Sequence, residues 1–378
     1  MKITELEIFH VKPRWMFLKI STDEGIAGFG EPIVEGRART VAMAIEELKP
    51  TLIGEDPRRI EFHWQSMYRG TFYRGGPILV SAISGIEQAL WDIKGKYYNM
   101  PVYEMLGGLY RSKVRMYGHI GGATVEEAVS SALKAQAAGF TAVKYGIEGP
   151  VRNVDTMAFV DRQVERLAAI RKAVGKEMDI AIDFHGRVSP QMAIRLAKAF
   201  EPYYPMFIEE PCLPENVDAL VQVARSTTIP VATGERLFTR WGFREVLEKQ
   251  AAAIVQPDLC HAGGILEARK IAAMAEVNYA SIAPHNPLGP ISLAACLQLD
   301  ACTPNFLIQE HPGMKEGWDL GQGYLKKPFI IKDGYISVPG GPGLGIEVDE
   351  DVVQERAYPG DWDTPRLYHN DDGTVADW

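Results

Sequence analysis

Apolar and polar positions alternate with period two at the start of the chain, where Ile3, Leu6 and Ile8 are followed by Phe17-Leu18-Lys19-Ile20 and then by Gly25 through Gly30. Side chains two apart in a strand share a face, so residues 1 to 31 are expected to form a small antiparallel sheet. The period then lengthens to three and four. Val41, Ala44, Ile45 and Leu48, and later Ile83, Ile86, Ala89, Leu90 and Ile93, mark helical faces within 40–53 and 81–96. From about residue 113 the two patterns take turns: strand over 114–119, helix over 125–138, strand over 141–146, helix over 157–174. Apolar runs end in turn near Asp183, Glu209, Glu235, Asp258, His285 and Glu310, at steps of 26, 26, 23, 27 and 25 residues. Eight strands with intervening helices at this pitch predict a closed parallel barrel. An open doubly wound sheet is the alternative, but it concentrates chemistry at one switch point, whereas polar side chains here end at least six successive strands. Short strands return at 329–331 and 335–337, and this tail is expected to pack back on the N-terminal region. The expected division is an α+β capping domain over 1–112, the barrel over 113–321 and a C-terminal segment over 322–378.

Length agrees with this division, because 378 residues exceed what one core usually supports. Forty basic against 49 acidic side chains give a net charge of −9, which leaves no basic footprint for nucleic acid, so an anionic partner must be bound locally. No apolar run approaches the roughly 18 residues of a membrane span, and Met1-Lys2-Ile3-Thr4-Glu5 opens a strand rather than a signal peptide. A soluble, cytoplasmic protein with no membrane partner is expected. Cys212, Cys260, Cys296 and Cys302 form no C-x-x-C pair and flank apolar segments, which favours reduced structural thiols over a disulfide framework or a zinc site. Gly341-x-Gly343-x-Gly345 leads into Ile346-Glu347-Val348 rather than a helix, and reads as turn chemistry rather than a phosphate loop.

The chemistry centres on Ile182-Asp183-Phe184-His185-Gly186-Arg187. Asp183 and His185, two residues apart, are expected to project together from one strand end. Asp183, Glu209 and Glu235 would then end the third, fourth and fifth strands, on neighbouring staves. Three clustered carboxylates repel one another without a cation, and an all-oxygen set favours Mg²⁺, with Mn²⁺ as a substitute. Any one of them alone could be a satisfied ion pair; all three at equal pitch make that reading weak. Glu210 follows Glu209 and should face the other way. His285 ends the seventh strand beside Asp258 of the sixth. A carboxylate that accepts from one imidazole nitrogen fixes the tautomer and raises the basicity of the other, which makes a general base. Taken alone, His285 reads equally well as a structural loop histidine. His185 lies four staves away, on the opposite side. The loop Arg69 to Pro77, rich in aromatics and arginines, reads equally as a lid or as a packed surface loop.

These residues, with Pro13-Arg14-Trp15-Met16, Phe72-Tyr73-Arg74-Gly75-Gly76-Pro77, Glu209-Glu210-Pro211, Gly234-Glu235-Arg236, Gln256-Pro257-Asp258, Ala283-Pro284-His285 and Gln309-Glu310, resemble the mandelate racemase subgroup of the enolase superfamily. The resemblance spans the whole chain. It implies a modified (β/α)7β, TIM-like barrel under an α+β capping domain, and a Mg²⁺-dependent sugar-acid dehydratase, with galactonate the expected substrate. It further implies that the substrate chelates the cation through its carboxylate and 2-hydroxyl. His285 would remove the C2 proton, the cation would stabilise the enediolate, and His185 would protonate the departing 3-hydroxyl. Glu310 would bond the substrate carboxylate, a solvated strand-end charge being the alternative. Arg14, Trp15, Tyr73 and Arg74 are expected to meet the substrate, and a homo-oligomer is expected. The chain departs from the pattern mainly at 145–157 and 311–316. In Val143-Lys144-Tyr145-Gly146 a glycine stands where the racemases carry a second lysine, which weakens a racemase or epimerase reading. Retention of all the acids and both histidines argues against a catalytically idle binding protein.

Overall fold

The computed structural model describes residues 1–312, 320–321 and 323–378; positions 313–316 of the second divergent stretch lie outside the described residues. Strands β1 (Ile3–Val11), β2 (Trp15–Thr22) and β3 (Ala27–Gly30) form the expected antiparallel sheet in that order. Helices α1 (Ala38–Leu48), α2 (Ile60–Arg69), α3 (Gly76–Tyr98) and α4 (Val102–Met105) follow it. The sheet and α3 touch backbone to backbone. A Cβ at Gly30 would sit 1.9 Å from the Gly85 carbonyl oxygen, and one at Gly28 2.2 Å from that of Ala89, so glycine is required at both places.

Strand and helix then alternate: β4 (Lys113–His119), α5 (Val125–Ala137), β5 (Ala142–Gly146), α6 (Met157–Val174), β6 (Asp179–Asp183), α7 (Pro190–Phe200), β7 (Phe207–Glu209) and α8 (Val217–Arg225). They continue through β8 (Val231–Thr233), α9 (Thr239–Glu248), β9 (Ile254–Val255), α10 (Ile265–Val277), β10 (Ser281–Ile282), α11 (Pro290–Cys302) and β11 (Gln309–Glu310). β4 to β10 pair in parallel in chain order. β11 closes the ring on β4 through Gln309↔Met116 and Glu310↔Tyr117, with a parallel bridge Ile282↔Phe306 on its other side. Among the described residues this is a (β/α)7β barrel, as the periodicity predicts. Its interior is filled by Tyr117, Ala142, Ala181, Phe207, Ala232, Ile254, Ala283 and Ile308, large and small side chains contributed around the ring.

The cap is held to the barrel by two buried carboxylates that receive the N-termini of barrel helices. Glu31 accepts from the Gly289 and Ser292 amides at α11 (2.7 and 2.9 Å), and Glu87 from Ile265 and Leu266 at α10 (2.7 and 2.9 Å). Helix N-termini present unpaired N–H groups and a positive dipole end, which suits an acid. Burial nevertheless outweighs those bonds and pushes each carboxyl up to about 8.

The tail divides its packing. Tyr324, Leu325, Leu344, Val348 and Val353 share the apolar core of β1, β2 and α3. The hairpin β12 (Ile331–Lys332) and β13 (Tyr335–Ser337) goes instead to the barrel, where β13 pairs antiparallel with β4 at Lys113 to Arg115. Helix α12 (Glu350–Glu355) and a last hairpin of β14 (Leu367–Tyr368) and β15 (Val375–Ala376) complete the chain. All four cysteines are buried and free. Among the described residues no helix is long and apolar enough to cross a membrane.

Candidate active site

Strand β6 stops at Asp183, and the chain turns immediately afterwards. His185 has φ 55° and Gly186 φ 65°, both left-handed, and the Asp183 carboxylate accepts the His185 amide at 2.7 Å. A non-glycine residue in this region is uncommon and marks a shaped turn. The expectation that strand alternation carries His185 beside Asp183 is therefore corrected: the turn, not the pleat, aims the imidazole. At Gly186 a Cβ would lie 2.2 Å from the Arg236 guanidinium, and the left-handed backbone adds to the cost of any larger residue there.

His285 stands past the end of β10, and its Nδ1 donates to Asp258 Oδ2 at 2.7 Å, because a carboxylate oxygen there can only accept. The other Asp258 oxygen accepts the Cys260 amide at 2.6 Å, so the carboxylate cannot swing away. His285 Nε2 points to Glu235 Oε2 at 3.4 Å. Burial disfavours charge on this imidazole, but Glu235, Glu310 and Asp258 outweigh it and hold its pKa well above the ordinary histidine value. His185 is held below that value by burial, which prevails over the pull of Asp183.

Lys144, near the end of β5, is the feature that strand-end reading left without a role. Its ammonium lies 2.7 Å from Glu209, 2.8 Å from Glu310 and 3.7 Å from Asp183, and is almost wholly buried. Burial alone would lower its pKa; Glu209 and Glu310 reverse this and raise it well above the ordinary value, so it is a fixed cation. Glu310 also accepts from His119 Nε2 (2.7 Å) and the Asn286 amide (2.9 Å). It is therefore a buried, fully bonded acceptor rather than a solvated strand-end charge. His119 ends β4 and shows the same apolar-run-then-polar signal as the other strands, so it was open to detection in the sequence. Glu210 turns away and binds Thr233, Gly234 and Arg236, a packing role.

A cavity of about 860 Å³ opens at these strand ends, lined by Lys144, Asp183, His185, Glu235, His285 and Glu310. The cap and tail wall its far side. Arg14 lines it, paired to Glu35 at 2.5 Å with its guanidinium over the Trp362 ring at 4.6 Å. Three expected substrate contacts are placed elsewhere. Trp15 is wholly buried against Phe17 and Tyr324 (ring centroids 6.3 and 5.7 Å), because the tail covers the start of β2. Tyr73 is 82% exposed, and neither it nor Arg74 lines the cavity; Pro77 of the same loop does. Residues 71–74 of this loop stand out into solvent, while Pro77 at its end reaches the cavity.

The expected cation ligands come from adjacent strands, with Asp183 and Glu209 in register. They do not converge on a point: Lys144 lies between Asp183 and Glu209, while Glu235 faces His285. Among the described residues no three His, Cys, Asp or Glu side chains are drawn together as a ligand set. The donor chemistry nonetheless fits a hard divalent cation, being all oxygen and over-charged. Burial, then the neighbouring acids, push Glu209 up to about 8 and Glu235 to about 7 despite Lys144 and His285. Added positive charge would relieve that strain.

The comparisons with known proteins agree with this architecture. Residues 10–107 match the mandelate racemase / muconate lactonizing enzyme N-terminal domain, and residues 127–352 match the enolase C-terminal domain-like family. A relative from Ralstonia nicotianae, named D-galactonate dehydratase, is 50% identical over 384 aligned residues, covering 100% of both chains. One of the same name from Cronobacter sakazakii is 48% identical, again over 100% of both. The solved structure of a mandelate racemase/muconate lactonizing enzyme from a Sulfitobacter species superposes with a TM-score of 0.89 at 37% identity, covering 95% of this chain and 96% of that one. Barrel, cap and site residues together place the chain in the mandelate racemase/muconate lactonizing enzyme family of the enolase superfamily.

Proposed function

We propose that this protein is a D-galactonate dehydratase, converting the sugar acid to its 2-keto-3-deoxy product. The observation that carries this reading is the pair of imidazoles, His285 and His185, lining one cavity from strands four staves apart. Full-length relatives at about half identity bear that name.

In its neutral form, which a cation held by Glu235 would favour by offsetting the acids that raise its pKa, His285, backed by Asp258, takes the proton from C2; the carboxylate stabilises the imidazolium that results. His185, in its imidazolium form, then gives a proton to the 3-hydroxyl as the C3–O bond breaks, which returns the ring to neutral, and water leaves. The enol that remains tautomerises to the 2-keto-3-deoxy acid, so the net change is loss of one water. Lys144 and Arg14 supply fixed positive charge for the anionic substrate, and Glu310 holds Lys144 and His119 in place. Asp183, Glu209 and Glu235 are the residues that would hold Mg²⁺, which when bound supplies charge that makes the C2 proton removable. Racemisation needs a base on each face of C2. Lys144 is locked as an ammonium among carboxylates, and Gly146 offers none.

The test is a panel of aldonates and aldarates incubated with enzyme and Mg²⁺ and assayed for 2-keto-3-deoxy acids. Turnover of galactonate well above that of its epimers is expected. Preferred turnover of an aldarate, or none of any acid, would sink the assignment.

A further inference from the structure

The catalytic base and the catalytic acid are each held from behind, but by different groups. His285 has Asp258 at its Nδ1. His185 has the main-chain oxygen of Trp378 at its Nδ1, 2.6 Å away, across 193 positions of sequence. The indole of Trp378 meets the His185 ring edge to face, with centroids 5.1 Å apart and planes at 89°. Trp362, Thr364, Pro365 and Trp378 all line the same cavity, so the tail runs along the site rather than merely past it. Its last hairpin is pinned at the tip: Arg152, in the loop after β5, pairs with Asp371 and Asp372.

A main-chain oxygen can only accept a hydrogen bond, so Nδ1 of His185 must carry a proton. With Nδ1–H committed to the tail, Nε2 is bare in the neutral ring and protonated in the imidazolium, so Nε2 is the nitrogen that takes up and gives the proton exchanged with substrate. Resting on the dehydratase reading above, we propose that Trp378 is the positioning residue of the catalytic acid, its main-chain oxygen fixing the tautomer and its indole fixing the plane of His185. The Asp258 carboxylate serves the base, and the main-chain oxygen and indole of Trp378 hold the ring of the acid in one orientation. The dehydration step should therefore depend on residue 378 while the C2 step does not.

The experiment compares the full chain, a chain ending at Asp377, Trp378→Phe and His185→Asn, all with Mg²⁺ and galactonate. The chain ending at Asp377 should lose dehydration by about 10- to 100-fold in kcat, the scale on which orienting partners act. It should still exchange the C2 hydrogen of recovered galactonate in D₂O, as His185→Asn should. Trp378→Phe, which keeps the oxygen and a ring, should recover most of the rate. Independently of any turnover, ¹⁵N spectra of histidine-labelled protein should show His185 with protonated Nδ1 in the full chain, identified by its absence from His185→Asn, and lose that pattern in the shortened chain. Undiminished dehydration, or an Nδ1–H signal that persists without Trp378, would overturn the proposal. So would an equal fall of exchange and dehydration, which marks a simple wall of the cavity. Failure of the full chain to turn over galactonate would sink the substrate reading, while the tautomer spectra still decide the role of Trp378.

Discussion

Lys144 and Glu209 form a buried ion pair beneath the cavity, with the ammonium 2.7 Å from one carboxylate oxygen and 2.9 Å from the other. Removing one partner of such a pair leaves the other charge unmatched, typically at about 3–5 kcal/mol. Glu209 can escape by taking up a proton, since burial and neighbouring acids already push it up to about 8. Lys144→Met, in metal-free buffer, should therefore be destabilised by less than that at pH 6 and by more at pH 9, above the value of about 8 that Lys144 helps to hold down. Urea unfolding at the two pH values checks this; equal losses would show that Glu209 does not depend on Lys144.

The two histidines should be separable by isotope exchange. His185→Asn is expected to abolish dehydration yet still exchange the C2 hydrogen of galactonate in D₂O, because His285 and Asp258 remain. His285→Asn should lose both activities, and Asp258→Asn should resemble it more mildly. Proton NMR of recovered substrate is the assay. Exchange that survives only in His285→Asn would reverse the roles.

If Asp183, Glu209 and Glu235 share one cation, Glu235→Gln removes a third of the ligand charge without opening a hole. Mg²⁺ affinity should fall by more than about tenfold while the circular dichroism spectrum is kept. Calorimetry that finds the affinity intact would end the three-ligand model.

Burial holds the Glu87 carboxyl at about 8, far above the value of about 4.3 for an unfolded chain. Between those limits the folded state carries a proton that the unfolded state lacks. This contribution is fully present below the unfolded value and is lost as pH rises through about 8. Its slope is at most about 1.4 kcal/mol per pH unit. Glu87→Gln abolishes the titration, so the stability of the native chain relative to this variant should decline steadily from pH 5.5 to 7.5. A difference independent of pH would show that Glu87 stays ionised on the α10 amides.

Much of the barrel was readable because it is a local, repeated problem. Each strand must bury its run and each helix its stripe, so the period of hydrophobicity and the pitch of 26 residues between Asp183, Glu209 and Glu235 report strand ends without knowledge of the fold. The pairing of His285 with Asp258 was readable for the same reason, as ends of adjacent staves. What joins distant parts of the chain was not. Lys144 is one lysine among many until barrel closure brings Glu209 and Glu310 to it. Trp15 looks like a site residue beside Arg14 until Tyr324 covers it. The turn that aims His185 replaces the pleat that alternation assumes, and the hairpin at 331–337 joins β4 although its sequence says only that it is a strand. Trp378 reaches His185 along a path that no local pattern encodes. Periodicity tells which face of an element is buried; which residues meet across that burial depends on closure of the ring and the route of the tail, and only the tertiary structure decides these.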